Sequence, residues 1–240
     1  MDVLHMTEDA LEAKCVEWRR WFHEHPEVST EEKNTSEKIF GILKELGLDP
    51  VRGQGHYGVA ATIQGGKPGP MVALRADMDA LSVREDTGLP YASQNPGVMH
   101  ACGHDIHMTT LLETILRLLR RKDEIQGSVR ILFQPSEELA PTGGARYMMK
   151  DGFLKDVKAV FGLHVWPNFV CGQIGVKEGA MMAGSDRIKV VIKGRTSHAG
   201  HPQEGIDAIM AAADFLQQVS HIVSRRVSPL ATATINIGTI

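Results

Sequence analysis

From Met99 to His107 the chain reads Met-His-Ala-Cys-Gly-His-Asp-Ile-His, which puts one thiol, three imidazoles and one carboxylate into nine residues. Only three cysteines occur in all 240 residues. A thiolate and neutral imidazoles are preferred ligands of zinc and its neighbours, and a nearby carboxylate can hold an imidazole in one tautomer. Cys102 and His104 are therefore candidate metal ligands, with Asp105 as an orienting carboxylate. A rival chemistry makes Cys102 a thiolate nucleophile with His104 as its base. Metal binding is the better fit, because a nucleophile has no use for so many further imidazoles. The bland reading is a small buried cysteine among surface histidines.

Three other segments carry similar groups: Arg75-Ala76-Asp77-Met78-Asp79, Gln134-Pro135-Ser136-Glu137-Glu138 and Gly162-Leu163-His164-Val165. With the Cys102 run they share one expectation, that each lies at the end of a strand, where open α/β sheets bind their ligands. Adjacent residues leaving a strand point in different directions. One of Glu137 and Glu138 can thus bind metal while the other takes a proton from metal-activated water; the plain alternative is an acidic loop before a helix. His164 is either a ligand or a hydrogen-bonded core histidine. Asp77 and Asp79 either grip an imidazole or satisfy the N–H groups of a tight turn. Farther along, His198 sits among small residues between Gly194 and Pro202, close to where a ligand could approach, and Asn236 could meet a substrate carboxylate or merely pair with a neighbouring strand.

Hydrophobic periodicity supplies the elements that must hold these groups. Apolar residues at three- and four-residue steps predict a helix over residues 8–22. A second helix follows, capped by Ser29-Thr30-Glu31-Glu32, lined by Ile39, Ile42, Leu43 and Leu46, and stopped at Gly47. Strands are expected over 58–63, 71–76, 129–133 and 159–165, the last of them buried, with helices over 109–121 and 145–150. This alternation indicates an α/β layered domain. The pattern changes near Gly184, where strands over 186–192 and 231–237 flank a helix over 205–224. The expected organisation is a larger domain, 1–183, followed by a smaller one, 184–240.

Composition narrows the partners. A formal charge of -3 with both signs mixed along the chain offers no basic face for nucleic acid, and no apolar run is long enough to span a membrane. Small molecules are the expected partners. The three cysteines are odd in number and widely spaced, which argues against a disulfide framework, and the first residues lack signal-peptide character, so a cytoplasmic protein is expected.

Taken together, these segments resemble the M20 metallopeptidase family in its aminoacylase/amidohydrolase branch, which includes hippurate hydrolases and indoleacetyl-amino-acid hydrolases. The resemblance is carried by Trp18 to Glu27, Leu74 to Leu81, Met99 to His107, Phe133 to Glu138, Gly162 to Val165 and Ser197 to Asp207, in family order. It implies an aminopeptidase-like α/β/α catalytic domain with an incomplete, ferredoxin-like α+β lid that also pairs two copies as a homodimer. It further implies two divalent ions, zinc, manganese, cobalt or nickel, of which this chain could hold one or both. Cys102, His104, Glu138 and His164 become ligands, Glu137 the general base and His198 the oxyanion stabiliser, while Asp77, Asp79 and Asp105 support the ligands and Asn236 contacts the substrate. A fifth ligand, a histidine, is implied beyond Ile240. The implied reaction is metal-assisted cleavage of an N-acyl or N-aroyl amino acid. Two alternatives are a non-catalytic, metal-binding remnant and a related dipeptidase or N-acyl-diaminopimelate deacylase.

Overall fold

The computed structural model describes residues 5–240 and divides into two compact units, one extending to Asp186 and one spanning Arg187–Ile240. The first unit is built on a five-stranded sheet: β1 (Val51–Arg52), β2 (Val59–Gln64), β3 (Lys67–Asp77), β4 (Gln126–Gln134) and β5 (Val157–Gly162), in the order β1-β2-β4-β3-β5. β3 runs parallel to both β4 and β5, whereas β2 is antiparallel to β1 and to β4. The parallel register pairs Asp77 with Gln134 and Arg75 with Gly162. Three strands therefore end along one edge, and the chain leaving each of them carries a different functional segment.

Helices α1 (Glu8–Glu24), α2 (Lys33–Glu45) and α3 (His104–Arg120) share the main core with one sheet face. Their stripes, among them Leu11, Trp18 and Phe22 of α1, Ile39 and Leu43 of α2, and Leu112, Ile115 and Leu116 of α3, meet Val59, Ile63, Ile131 and Phe133. The alternate residues Ala60, Ala73 and Leu132 face the other way and pack with Met148 of α4 (Ala145–Lys150) and with Phe153. Period-two alternation thus serves both faces, and the unit is an α/β/α layer structure.

Three expectations about the elements of the first unit need correction. Glu32, the last residue of the expected Ser29–Glu32 run, is the N-cap residue of α2, but no side chain of the run caps the helix: the Glu27 carboxylate accepts the Asn34 and Thr35 N–H groups at 3.1 and 2.8 Å, while the Ser29 and Glu32 side chains turn toward other parts of the unit. The far end of α2 does stop at Gly47, whose φ of +77° permits the Leu48 N–H to reach the Leu43 carbonyl at 3.0 Å. α3 begins at His104, five residues before the expected 109, so His104, Asp105 and His107 lie on its first turn. Lastly, β5 is an edge strand paired with β3 alone, and most of its residues are exposed where a buried strand was expected.

A buried polar cluster joins α1 to α3. His23 Nδ1 lies 2.8 Å from Asp105 Oδ2 and its Nε2 lies 3.1 Å from Glu85 Oε1, while Arg19 Nε approaches Asp105 Oδ2 at 3.0 Å. The hydrogen bond to Asp105 raises the pKa of His23 above 6.5 despite its burial, with Glu85 adding to the effect. A raised folded-state pKa stabilises fully below the unfolded value of about 6.5 and stops doing so as pH rises through the folded value. His23→Ala is thus expected to cost on the order of 1–3 kcal/mol near pH 6, with a smaller deficit near pH 9. Urea unfolding at both pH values checks this; equal deficits would show that the charge on His23 is not what stabilises.

The second unit contains α5 (Ala208–Arg226), which starts where the Asp207 side chain accepts the Ile209 and Met210 N–H groups at 2.9 and 3.0 Å rather than at Gly205. Pro202 opens a short 3-10 turn ahead of it, Pro202–Glu204. Neither 186–192 nor 231–237 forms a strand. Alternation supplies a face, but a strand exists only where a neighbour completes its ladder, and Ile188, Val190 and Ile235 remain exposed. Among the described residues no helix is long and apolar enough to cross a membrane.

Candidate metal centre

Of the four functional segments, three lie at strand ends as expected: Asp77 closing β3 with Asp79 just beyond it, Glu137 and Glu138 after β4, and His164 after β5. The fourth does not follow a strand. Cys102 and His104 flank Gly103, the residue before α3, whose φ of +87° suits glycine. A Cβ at Gly103 would also come within 2.5 Å of Val165 Cγ2, so the close approach of this turn to the His164 segment excludes a side chain.

The ring of His104 is wholly buried, and its Nδ1 lies 2.7 Å from the backbone carbonyl of Asp79. That contact makes Nδ1 the N–H donor and leaves a lone pair on Nε2. His104 Nε2 has no hydrogen-bond partner, and neither has the buried Glu138 Oε1, which sits 3.7 Å away. Glu137 Oε2 is 4.0 Å from the same nitrogen. Cys102 Sγ contacts His164 Nε2 at 3.3 Å, and His164 Nδ1 donates to the Val165 carbonyl at 2.6 Å, so the lone pair on Nε2 faces the Cys102 sulfur. One donor atom each from Cys102, His104 and His164 falls within 4.8 Å of the others, and the same holds for His104, Glu137 and Glu138.

The electrostatics favour a cation at this point. Burial opposes charge on His104, yet its pKa is raised because Asp79, Asp77 and Glu138 surround it with negative charge. Burial and the neighbouring Glu138 and Asp77 carboxylates raise the pKa of Glu137. Burial, followed by Glu138, Glu137 and Asp77, pushes the Cys102 thiol up to about 12. A thiol in that state is a poor nucleophile. A divalent ion would neutralise the carboxylate excess and supply the partner that the two orphaned buried atoms lack; the donor set of thiolate, imidazole and carboxylate oxygen suits zinc, cobalt, nickel or manganese. The residues present therefore fit a metal ion.

The remaining polar residues hold the donors in place. Asp79 accepts the Glu137 and Glu138 N–H groups at 2.9 Å each and the Ser29 hydroxyl at 2.7 Å, so its carboxylate serves a turn, while its backbone carbonyl, not its carboxylate, is what meets the His104 imidazole. Asp77 grips His107 Nδ1 at 2.6 Å and receives Arg75 Nη1 at 2.6 Å; these contacts outweigh its burial and hold its pKa below the usual range. His107 Nε2 in turn accepts the Val165 N–H at 2.9 Å, which fixes the backbone beside His164 and leaves His107 no lone pair for a metal. Asp105 requires correction. Its carboxylate faces His23 and Arg19 instead of a ligand imidazole, because residues adjacent on a helix point to different faces. His107 belonged to the original run but had no assigned task; its i,i+3 spacing from His104 is the signal that places both on one face. Arg75 and Ser29 carry no comparable signal.

His198 and Asn236 lie in the second unit. There His198 Nδ1 accepts the Gly200 N–H at 3.1 Å, and Asn236 occupies a segment without regular structure.

The family model for Peptidase family M20/M25/M40 matches residues 73–237. The chain belongs to this family. Over 233 residues it is 43% identical to an N-acetylcysteine deacetylase of Bacillus subtilis, a match covering 97% of this chain and 61% of that protein. It is 40% identical over 229 residues to an N-acyl-L-amino acid amidohydrolase of Geobacillus stearothermophilus, covering 95% of this chain and 62% of the relative. Among solved structures, a dinuclear metal-binding M20 peptidase from Bacillus subtilis is 43% identical with a TM-score of 0.69, over 72% of this chain and 48% of that one. The M20 chain thus spans about three fifths of the length of these curated relatives.

Proposed function

We propose that this M20 chain forms the metal centre of an amidohydrolase that cleaves the amide bond of N-acyl or N-aroyl amino acids. The observation that carries the reading is the pair of buried, unpartnered atoms, His104 Nε2 and Glu138 Oε1, facing each other 3.7 Å apart beside Glu137. The names of the deacetylase and amidohydrolase relatives support the reaction class. Cys102, His104, Glu138 and His164 would hold divalent metal, two ions in the complete site. Bound there, such ions would polarise the scissile carbonyl and bring the pKa of a water near about 7.

The chain's own residues do the rest. Glu137 has 41% of its side chain open against 24% for Glu138, so it is the freer of the two to reach a water and a leaving group. It accepts the proton of the attacking water on a carboxylate oxygen and returns it to the departing amine nitrogen. Its raised pKa makes the carboxylate a better acceptor for the proton in the first of these steps. His198 is assigned to the oxyanion and Asn236 to the substrate carboxylate, by resemblance to the family. Pairing of two copies through the second unit belongs to the same proposal.

Incubating the chain with zinc, manganese, cobalt or nickel and a panel of N-acetyl and N-benzoyl amino acids tests the reading. Free amino acid is expected from at least one metal and substrate combination. Bound metal without release from any substrate would favour the metal-binding remnant.

A further inference from the structure

Three consecutive amides, those of Ser136, Glu137 and Glu138, each donate to a buried carboxylate. Asp79 receives the last two, but the Ser136 N–H goes to Glu32 Oε1 at 2.6 Å. Glu32 is wholly buried at the head of α2, 104 residues away in sequence. The same oxygen accepts the Ser136 hydroxyl at 3.0 Å, and Ser136 Oγ accepts the Thr30 N–H at 3.0 Å. Ser136 has a φ of +53°, a region disfavoured for a residue with a Cβ. Glu32 and Ser136 also line a cavity of about 380 Å³, together with Tyr57 and Tyr147. Packing alone therefore does not hold the back of this turn, and the hydrogen bonds must.

We propose that Glu32 is a positioning residue of the metal centre, whose carboxyl group keeps Ser136 in the left-handed conformation that sends Glu138 toward His104 and leaves Glu137 open to water. The proposal rests on the assignment of Glu138 as ligand and Glu137 as base. The side-chain oxygen of a glutamine can accept the same two hydrogen bonds, and burial already disfavours the charged form of Glu32. The conservative variant should therefore preserve the effect while truncation abolishes it.

Amide hydrogen exchange on the metal-free chain and cobalt titration read these two levels separately. In Glu32→Ala, exchange at residues 136–138 is expected to quicken roughly tenfold or more with the β4 core still protected, and cobalt affinity to fall by roughly tenfold. Glu32→Gln should stay within about threefold of wild type in both. Ser136→Ala, which removes the hydroxyl contacts alone, should fall between them, and it keeps the question measurable if Glu32→Ala does not fold. Wild-type behaviour of Ser136→Ala and Glu32→Ala, failure of Glu32→Gln to rescue, or loosening spread evenly through β4 would each overturn the proposal. A wild-type chain that binds no cobalt would sink the metal assignment, while the exchange data would still decide whether Glu32 holds the turn.

Discussion

Glu137→Gln is expected to lower the rate of amide cleavage by about 10²- to 10⁴-fold with bound metal unchanged. The substitution keeps the shape of the side chain and removes its ability to take a proton. It also spares the backbone, because the turn is held through the Glu137 N–H on Asp79 and not through the side chain. Glu137 Oε2 is 4.0 Å from His104 Nε2, whereas Glu138 has the buried oxygen at 3.7 Å, so the ligand cluster loses little. Steady-state rates and metal content measured on the same preparation separate the two roles. A variant with wild-type rate would move the base elsewhere; one with neither rate nor metal would make Glu137 a ligand.

His104→Ala should weaken metal binding by more than about 100-fold, since partners one bond farther out than a ligand already cost 10–100-fold. Among the described residues His104 shares donor groups both with Cys102 and His164 and with Glu137 and Glu138. Its loss also strands the Asp79 carbonyl that its Nδ1 engages. Wild-type affinity itself should fall as pH drops through the raised pKa of this imidazole, because proton and metal compete for Nε2. Equilibrium dialysis across pH checks both statements; a variant that keeps wild-type affinity would leave the centre without its hub.

How much of this was legible in the sequence depended on the range of the interaction. Helix stripes such as Leu112, Ile115 and Leu116 and the strands β2 to β4 follow from local periodicity, and their core is the one observed. Donor density made Cys102 and His104 candidates because a thiol and three imidazoles crowd into nine residues, whereas the groups they meet, the Asp79 carbonyl and His164, lie far off in sequence. Element ends were harder. α3 starts at His104 because Gly103 turns the chain there, and periodicity counted from Leu111 does not register a turn. The 186–192 and 231–237 segments alternate correctly, but pairing is decided by neighbours and not by the segment itself. Glu32 reads as one more acid at a helix start and only in three dimensions meets Ser136, 104 residues away. Asp105 shows the converse: its place beside His104 suggested a shared task, and the helix geometry turned it to His23.

The metal centre itself is tested most directly by titrating the metal-free chain with cobalt and following thiolate-to-cobalt charge-transfer absorption. Of the three cysteines, Cys15 is buried in the core of α1 and Cys171 is exposed, and Cys102 alone lies among imidazoles and carboxylates. The band is predicted to appear in wild type, to persist when Cys15 or Cys171 is replaced by serine, and to vanish in Cys102→Ser. A band that survives Cys102→Ser, or its absence from the wild-type chain at saturating cobalt, would contradict a centre built on Cys102, His104, Glu138 and His164.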